Sequence, residues 1–336
     1  MQRKAPVFIV GSPRSGTTLL RNLLNRHPSL AICGETRFYG YVYKRRRAFG
    51  DLRDLKNRRR LVEQYLSTER IGRLGLDLER LGDRLLRDAD SYRALFTCIL
   101  ECYAESNGKP RLGEKTPHHA LFTETLSDWY PGAKIIHLLR DPRDTVASLK
   151  RMPWAPNAIL ENAGIWLVFN RAARRSRHRP GYLPVHYESL VTQPEKELTR
   201  ICAHIEEPYS SEMLLQDRQG AETYSPLGTV ITQRLGKWRE ELTTGEIALT
   251  EWAAGDLMQD LGYERVAASP SVLALARGVS FSVFDAVHRQ IEQFPCIWYR
   301  WMQPTKIAKE EFWRYRRLWQ KAPTTSGLRY WNQYVK

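Results

Sequence analysis

Short apolar runs alternate with stretches of helical periodicity along much of the chain. Residues 6–11 contain four consecutive apolar residues between a proline and a glycine, which predicts a buried strand. In residues 17–26 the leucines recur at helical spacing, and a polar turn separates this segment from the strand. Strand, turn and helix in this order are typical of the first unit of a parallel α/β sheet.

The same order recurs twice further along the chain. Strands are predicted at residues 134–139 and 182–187, and helices follow them at 145–152 and 194–205. A further short strand fits residues 29–33, and residues 36–108 have a basic and mostly helical pattern. We therefore predict an α/β fold with a P-loop-like parallel β-sheet flanked by helices, followed by a helical C-terminal extension.

The C-terminal residues 266–336 have a different character from the rest. They contain five of the ten tryptophans, and 11 Lys and Arg residues against 4 Asp and Glu. Amphipathic helices are predicted at residues 273–294 and 307–320. We divide the chain into a domain at 1–265 and a basic, aromatic-rich helical extension at 266–336. The aromatic residues fit a helical cap that packs on the core, a lipid headgroup interface or single-stranded nucleic acid.

Composition places the protein among ordinary globular chains, but its charge is unusual. Of 336 residues, 42% are hydrophobic and 26% charged, while the formal net charge is +15. Such a surface attracts anions, for example nucleic acid, acidic lipids or a phosphorylated small molecule. The five cysteines form no C-x-x-C pair, so neither a disulfide framework nor a zinc site is indicated. Without a leader or membrane-span pattern, we expect a cytoplasmic protein that can be membrane-peripheral.

A phosphate-binding loop is predicted directly after the first strand. Residues 11–18 read G-S-P-R-S-G-T-T, which matches the P-loop pattern except that Thr17 stands where the lysine belongs. Successive backbone N–H groups at a helix start bind anions without that lysine, and Arg14 adds a guanidinium suited to oxyanions. The residues proposed to hold the anion are Arg14, Ser15, Gly16, Thr17 and Thr18.

The missing lysine changes the chemistry to be expected. In nucleotide hydrolases and kinases this residue neutralises the β- and γ-phosphates beside Mg²⁺. A loop without it is poorly suited to γ-phosphoryl transfer but can still grip a terminal phosphate-like group. A P-loop kinase or NTPase, and a non-catalytic basic module that binds membranes or nucleic acid, remain the alternatives.

Five segments resemble the sulfotransferases that use 3′-phosphoadenosine 5′-phosphosulfate (PAPS), with closest motif resemblance to the tyrosylprotein-type and bacterial enzymes. P-R-S-G-T-T at 13–18 resembles their 5′-phosphosulfate loop, and L-R-D-P-R-D-T-V-A-S at 139–148 resembles their 3′-phosphate motif. G-E-K-T-P at 113–117, V-H-Y-E-S-L-V at 185–191 and G-K-W-R at 236–239 resemble three others. His186 departs from the pattern, because the family has an arginine there. The resemblance spans residues 6–262.

The resemblance implies a donor, a set of binding residues and no metal. PAPS is the implied donor, and adenosine 3′,5′-bisphosphate is the implied product. Arg140 and Ser148 are expected to hold the 3′-phosphate, and Tyr187, Lys237 and Trp238 are expected to contact the nucleotide. A late-loop hydroxyl near the sulfuryl group is a further possibility at Ser225.

The catalytic residues are also implied by resemblance. C-G-E-T-R at 33–37 resembles a segment of the tyrosylprotein sulfotransferases that supplies the general base, so Glu35 inherits that role as a hypothesis. The alternative is that Glu35 only pairs with a neighbouring arginine. Lys115 and Arg14 are expected to stabilise charge during an in-line displacement.

The acceptor is expected to be a hydroxyl of a small molecule, a sugar, a lipid or a peptide tyrosine. The extension can contribute a peripheral membrane contact. We do not expect nucleic acid as a partner.

Overall fold

The computed structural model describes residues 4–215, 234–302, 304, 305 and 307. The chain divides into two compact units. The first unit contains Ser29–Thr116 together with residues before Val7 and after Gln290. The second unit contains Val7–Pro28 and Pro117–Gln290. The separate division at residue 265 stays a prediction.

Five strands are present in the described chain, and the pairs within each unit are parallel. They are β1 (Val7–Gly11), β2 (Leu30–Cys33), β3 (Arg111–Lys115), β4 (Lys134–Leu139) and β5 (Tyr182–His186). In the second unit β4 lies between β1 and β5, whereas in the first unit β2 pairs with β3. Parallel strands connected through helices confirm the predicted α/β class.

Fifteen α-helices are assigned in the described residues. In chain order they are α1 (Thr17–Asn25), α2 (Phe38–Tyr41), α3 (Arg46–Phe49), α4 (Leu55–Leu66), α5 (Glu69–Gly72), α6 (Leu78–Asp88), α7 (Tyr92–Ser106), α8 (Thr123–Trp129), α9 (Pro142–Lys150), α10 (Ile159–Arg174), α11 (Tyr187–Thr192), α12 (Pro194–Ile205), α13 (Trp238–Glu241), α14 (Thr244–Asp260) and α15 (Val272–Met302). Short 3₁₀ turns occupy Tyr43–Arg45, Pro117–Phe122 and Ser211–Leu214.

The predicted opening unit is present. All five residues of β1 are buried, and α1 buries its leucines, which lie on one face at helical spacing. The helix predicted at 194–205 is α12, and Pro194 occupies its first turn, where a missing N–H is tolerated.

Two helices begin or extend differently from the prediction. Helix α9 begins at Pro142, earlier than the predicted residue 145, because the Asp141 side chain accepts a hydrogen bond from Arg143 N and caps the helix. The helix predicted at 273–294 lies within α15. The helix predicted at 307–320 falls outside the described residues, apart from residue 307. In the described chain, no helix is both long enough and apolar enough to cross a membrane.

Strand β3 was not predicted from the sequence. Its sequence R-L-G-E-K contains three charged residues, yet all five positions are buried. Buried strands are recognised by apolar runs, and this one has a single large apolar side chain. Its charged residues are buried because Glu114 and Lys115 have partners on the loop that follows β2.

Candidate active site

The loop between β1 and α1 is shaped by Gly16. This residue caps α1 in the left-handed region, with φ of 97°, where a side chain is strained. A Cβ atom at this position would lie 2.4 Å from Cδ2 of Tyr187. The glycine therefore allows the loop to pack directly against the Tyr187 ring, which comes from the first residue of α11.

The start of α1 has the properties of an anion site. Within the described chain no side chain caps this helix end, and no acidic residue lies in its first turn. The hydroxyl Oγ of Ser15 is buried and has no hydrogen-bond partner among the described residues. A buried polar atom without a partner is costly, so its presence beside the first turn of α1 fits an anionic ligand. This observation supports the predicted phosphate-binding role of the loop.

Arg14 links the loop after β1 to α9, the helix that contains Ser148. It has φ of 70°, which is unusual for a residue other than glycine. Its Nε donates a hydrogen bond of 3.0 Å to Oγ of Ser148, and its carbonyl oxygen accepts one of 3.3 Å from Arg140. The structure thus brings Arg14, Arg140 and Ser148 together.

Arg140 lies at the end of β4 and is almost fully buried. Its guanidinium stacks over the Tyr187 ring at 4.4 Å from the ring centre, and it donates a 3.0 Å hydrogen bond to the carbonyl oxygen of Arg234. Its Nε is buried and has no partner within the described chain. Since a buried cation normally uses all of its donors, this unused N–H also fits a bound anion.

A buried network fixes the backbone of Arg140. Its carbonyl oxygen accepts a 2.9 Å hydrogen bond from the indole N–H of Trp166, and the Trp166 carbonyl accepts one from Asn170. Asn170 Oδ1 lies 2.9 Å from Nε2 of His137, and the Tyr182 hydroxyl lies 2.5 Å from Nδ1 of that ring. Burial lowers the pKa of His137 to about 4. The ring is therefore neutral at pH 7, so Nε2 donates to the amide while Nδ1 accepts from the phenol.

The R-D-P-R-D motif also anchors the segment that precedes α13. Asp144 accepts hydrogen bonds of 3.0 and 3.1 Å from the backbone N–H groups of Gly236 and Trp238. Arg143 stacks on the Trp238 ring at 4.1 Å and forms buried 2.7 Å ion pairs with Asp141 and Glu251. The sequence interpretation gave Arg143 and Asp144 no role. The sequence did contain a signal for such a role, because five consecutive polar or proline residues follow a buried strand.

The structure shows the surroundings of two further residues that the resemblance assigned to the nucleotide, Trp238 and Lys237. The Trp238 ring is buried in a core cluster with Val146 and Ala147. The Lys237 side chain is partly exposed and forms a 2.8 Å ion pair with Glu240. Their predicted contact with the nucleotide stays a prediction. Ser225 lies outside the described residues.

His186, the departure from the family pattern, takes part in a hydrogen-bonded group. Its Nδ1 lies 3.1 Å from the Tyr263 hydroxyl, which donates a 3.0 Å bond to Glu188, and Glu188 accepts a 2.9 Å bond from Asp141 N. Burial lowers the pKa of His186 and raises the pKa of Glu188. The neutral imidazole thus donates its Nδ1–H to the phenol, because the phenol hydrogen is already directed at Glu188.

In the first unit, Glu35 and Lys115 form an ion pair. The Lys115 ammonium lies 2.9 Å from Oε1 of Glu35, and Arg70 and Arg37 lie 3.5 and 3.9 Å from Oε2. Burial acts to raise the pKa of Glu35, but attraction to Lys115, Arg70 and Arg37 outweighs it and holds the pKa far below its usual range. Glu35 is therefore ionised at all ordinary pH values. Both the predicted base and the predicted pairing with arginine are compatible with this geometry.

Buried hydrogen bonds hold the backbone on both sides of this pair. Cys33 at the end of β2 lies beside Glu114 in β3. Glu114 Oε1 accepts bonds of 3.2 and 3.0 Å from the backbone and hydroxyl of Thr36, whose carbonyl accepts a 2.8 Å bond from Tyr65. Because these bonds fix the loop after β2 against the end of β3, Glu35 and Lys115 face each other.

Metal-ligating side chains do not gather in the described ranges. No group of three His, Cys, Asp or Glu residues there could hold a metal ion. His118 stacks edge-on against Phe169.

Comparison with known proteins decides the family. Residues 6–211 match the model described as "Sulfotransferase family". The chain belongs to the sulfotransferase family. The match covers more than half of the chain and includes the loop after β1, the Glu35 segment and the R-D-P-R-D motif.

Several curated proteins are similar to this sulfotransferase-family chain. A putative protein-tyrosine sulfotransferase of Caenorhabditis briggsae is 28% identical over 221 residues, which cover 62% of this chain and 68% of the relative. The nodulation protein NoeE of Sinorhizobium fredii is 29% identical over 294 residues, with 77% and 66% covered. Protein-tyrosine sulfotransferase 2 of Gallus gallus is 27% identical over 274 residues, with 76% and 66% covered. The chain spans about two thirds of the length of these relatives.

A solved structure agrees at the level of the fold. The sulfotransferase domain from the curacin biosynthetic pathway aligns with a TM-score of 0.51 at 21% identity, over 79% of this chain and all of that domain. These matches confirm the predicted family and the predicted P-loop-like fold. They favour a sulfotransferase over the two alternatives, a P-loop kinase and a non-catalytic basic module.

Proposed function

We propose that this protein transfers a sulfuryl group from PAPS to an acceptor hydroxyl. The observation that carries the proposal is the cluster of Arg14, Arg140 and Ser148. Arg14 is hydrogen-bonded to both of the other residues, although they belong to a motif far from it in sequence. Two buried donors beside this cluster, Ser15 Oγ and Arg140 Nε, have no partner among the described residues. Together they supply cationic and hydroxyl donors for two anionic groups of one ligand.

The two motifs would hold different parts of the donor substrate. The loop, through Arg14 to Thr18 and the start of α1, would bind the 5′-phosphosulfate. Arg140 and Ser148 would bind the 3′-phosphate, which distinguishes PAPS from ATP. Tyr187 supports both, because its ring packs against Gly16 and stacks with the Arg140 guanidinium.

Glu35 is proposed as the general base. Sulfuryl transfer forms a bond between the acceptor oxygen and sulfur and breaks the bond between sulfur and the oxygen shared with the 5′-phosphate. The acceptor proton passes to the Glu35 carboxylate, and Lys115 and Arg14 stabilise the charge left on the shared oxygen. Ionised Glu35 is ready to accept a proton, although its lowered pKa makes it a weak base while Lys115 is paired with it.

The acceptor is proposed to carry a hydroxyl group. Two of the relatives are named as protein-tyrosine sulfotransferases, which favours testing a peptide tyrosine first. Small phenols, sugars and lipids are the other candidate acceptors. Contact of residues 266–336 with a membrane surface also stays a proposal.

The test is a transfer assay with sulfur-labelled PAPS. The purified protein is incubated with a tyrosine peptide, a phenol, a sugar, a lipid and a cell extract. We expect label in one acceptor class, stoichiometric adenosine 3′,5′-bisphosphate, and loss of both with Arg140→Ala. Glu35→Gln should lower turnover at least tenfold without changing nucleotide affinity. Labelled product with full turnover in Glu35→Gln would remove the base role, and absence of both nucleotide binding and transfer would overturn the proposal.

A further inference from the structure

Helix α15 has two faces whose chemistry is the reverse of what a surface helix normally shows. A helix on a globular protein buries an apolar stripe and exposes polar residues. Between Val272 and His288, the partly or fully buried positions are Ala274, Leu275, Gly278, Ser282, Asp285 and Ala286. At helical spacing these residues lie on one side of α15, and only one of them is a large apolar residue.

The packed face is held by a polar contact and by close approach. The Asp285 carboxylate accepts bonds of 3.1 and 2.9 Å from the backbone and side-chain N–H groups of Asn157. A Cβ on Gly278 would lie 3.2 Å from Leu160 of α10 and 3.3 Å from Leu249 of α14. Gly278 and Asp285 therefore fix the orientation of residues 272–288 within the second unit. A rotation that buried the opposite face would break the Asp285 bonds.

The opposite face is apolar and exposed. Its large residues retain between 48% and 85% of their accessible surface, and they are Val272, Leu273, Val279, Val283, Phe284 and Val287. They lie at spacings of three, four and seven, which places them along one stripe of the helix. A contiguous exposed apolar surface on this scale marks a site that binds another protein or a membrane.

Charge distinguishes between these two occupants. Between Val272 and His288, Asp285 is the one acidic residue of α15, and it lies on the packed face. The exposed stripe is accordingly free of carboxylates, and Arg277 lies in the same helical segment. The whole chain has a net charge of +15, so two copies repel each other, whereas an anionic lipid surface attracts the chain.

The sequence around the stripe fits a lipid interface as well. Residues 266–336 contain 11 basic and 4 acidic residues together with five tryptophans. Tryptophan and basic residues are enriched where proteins contact the headgroup region of a bilayer. This combination is independent of the nucleotide site and of the sulfuryl transfer proposed for it.

We propose that the exposed stripe of α15, from Val272 to Val287, docks on the surface of an anionic membrane. The helix lies in the plane of the interface, its valines and phenylalanines enter the boundary between headgroups and acyl chains, and basic residues contact anionic lipids. An acceptor that is itself membrane-bound would then be presented to a protein already at that surface.

Co-sedimentation of the full-length protein with vesicles tests this proposal. Vesicles of phosphatidylcholine alone are compared with vesicles containing about 30% phosphatidylserine, which provides an anionic surface. The variant Val283→Ser/Phe284→Ser changes the stripe. Val168→Ser, which alters an equally exposed valine on α10, is the matched control. Far-ultraviolet circular dichroism and binding of adenosine 3′,5′-bisphosphate confirm that each variant is folded.

We expect the parent and Val168→Ser to bind the anionic vesicles, and the double variant to lose at least tenfold in vesicle affinity while remaining folded. Three results would overturn the proposal. One is absence of vesicle binding by the parent. Another is equal binding by the double variant, which would assign the contact to basic residues elsewhere. The third is a parent dimer that the double variant converts to a monomer, which would assign the stripe to contact between copies.

Discussion

Arg14 Nε donates a 3.0 Å hydrogen bond to Ser148 Oγ, although 134 positions separate the two residues. One residue belongs to the loop after β1 and the other to α9, which follows β4. Since β1 and β4 are adjacent and parallel, their carboxyl ends and the helices that follow them meet at one edge. The bond thus joins the two segments to which the sequence assigned the two phosphates of the nucleotide.

Replacing Ser148 with Ala should weaken binding of adenosine 3′,5′-bisphosphate roughly tenfold, because a hydrogen bond to a charged group is lost. Affinity for adenosine 5′-monophosphate should stay within about twofold of the parent. Isothermal titration measures both constants. Lys150→Ala, on the same helix but exposed and paired with Glu246, is the control and should change neither constant. Equal losses of affinity for both nucleotides would mean that Ser148 maintains the conformation of the loop and does not contact the 3′-phosphate.

Gly16→Ala should destabilise the protein by roughly 2 kcal/mol or more, because it adds a strained left-handed residue and a contact with the Tyr187 ring. Denaturant unfolding gives the free energy. The control is Gly164→Ala in α10, where an added Cβ meets no atom within 4 Å. This control should stabilise the helix by about 0.5–1 kcal/mol. Equal stability of Gly16→Ala and the parent would contradict the close approach of loop and ring.

Lys115→Ala should move the acidic limb of the pH–rate profile to higher pH. Glu35 must be ionised to accept a proton, and Lys115 helps to hold its pKa far below its usual range. Removal of Lys115 raises that pKa, so protonation of Glu35 begins to lower the rate at a higher pH than in the parent.

The lost charge stabilisation should lower the rate at neutral pH as well. Lys56→Ala, which removes an exposed lysine of the same unit, serves as control. If Lys115→Ala lowers the rate equally at every pH and leaves the acidic limb in place, protonation of Glu35 does not limit the reaction in acid.

The free energy of unfolding should fall as the pH is lowered from about 6.5 towards 4, and His137 should supply part of this loss. Unfolded His137 binds a proton below its ordinary pKa of 6.5, whereas burial lowers the folded pKa to about 4. Protons are then bound preferentially by the unfolded chain in this window, which favours unfolding. The share from His137 is up to about 3 kcal/mol. In His137→Asn the slope of stability against pH should be smaller; an unchanged slope would contradict a neutral buried ring.

The sequence predicted the strand, loop and helix around Gly16, because a buried apolar run, a glycine turn and a leucine stripe are clear local signals. It also selected Arg140 and Ser148, which lie beside the loop. It missed β3 because the charged side chains of Glu114 and Lys115 are buried with partners distant in sequence, and no local pattern reveals such partners.

The same limit applies to the R-D-P-R-D motif. Arg143 and Asp144 hold the segment before α13, but their partners Glu251 and Gly236 are about 90 to 110 positions away. Trp238 packs in a core cluster with Val146 and Ala147, which its motif did not indicate, and its predicted contact with the nucleotide stays a prediction. Resemblance identifies a motif, but only the packing of the chain determines which of its side chains face a ligand.

The most direct measurement is the affinity of the unmodified protein for adenosine 3′,5′-bisphosphate and for adenosine 5′-monophosphate, taken by isothermal titration at one salt concentration. The 3′-phosphate should add contacts to Arg140 and to Ser148, so the bisphosphate should bind at least tenfold more tightly, and this preference should disappear in Arg140→Ala. Equal affinities in the unmodified protein would contradict recognition of a 3′-phosphate and, with it, the use of PAPS.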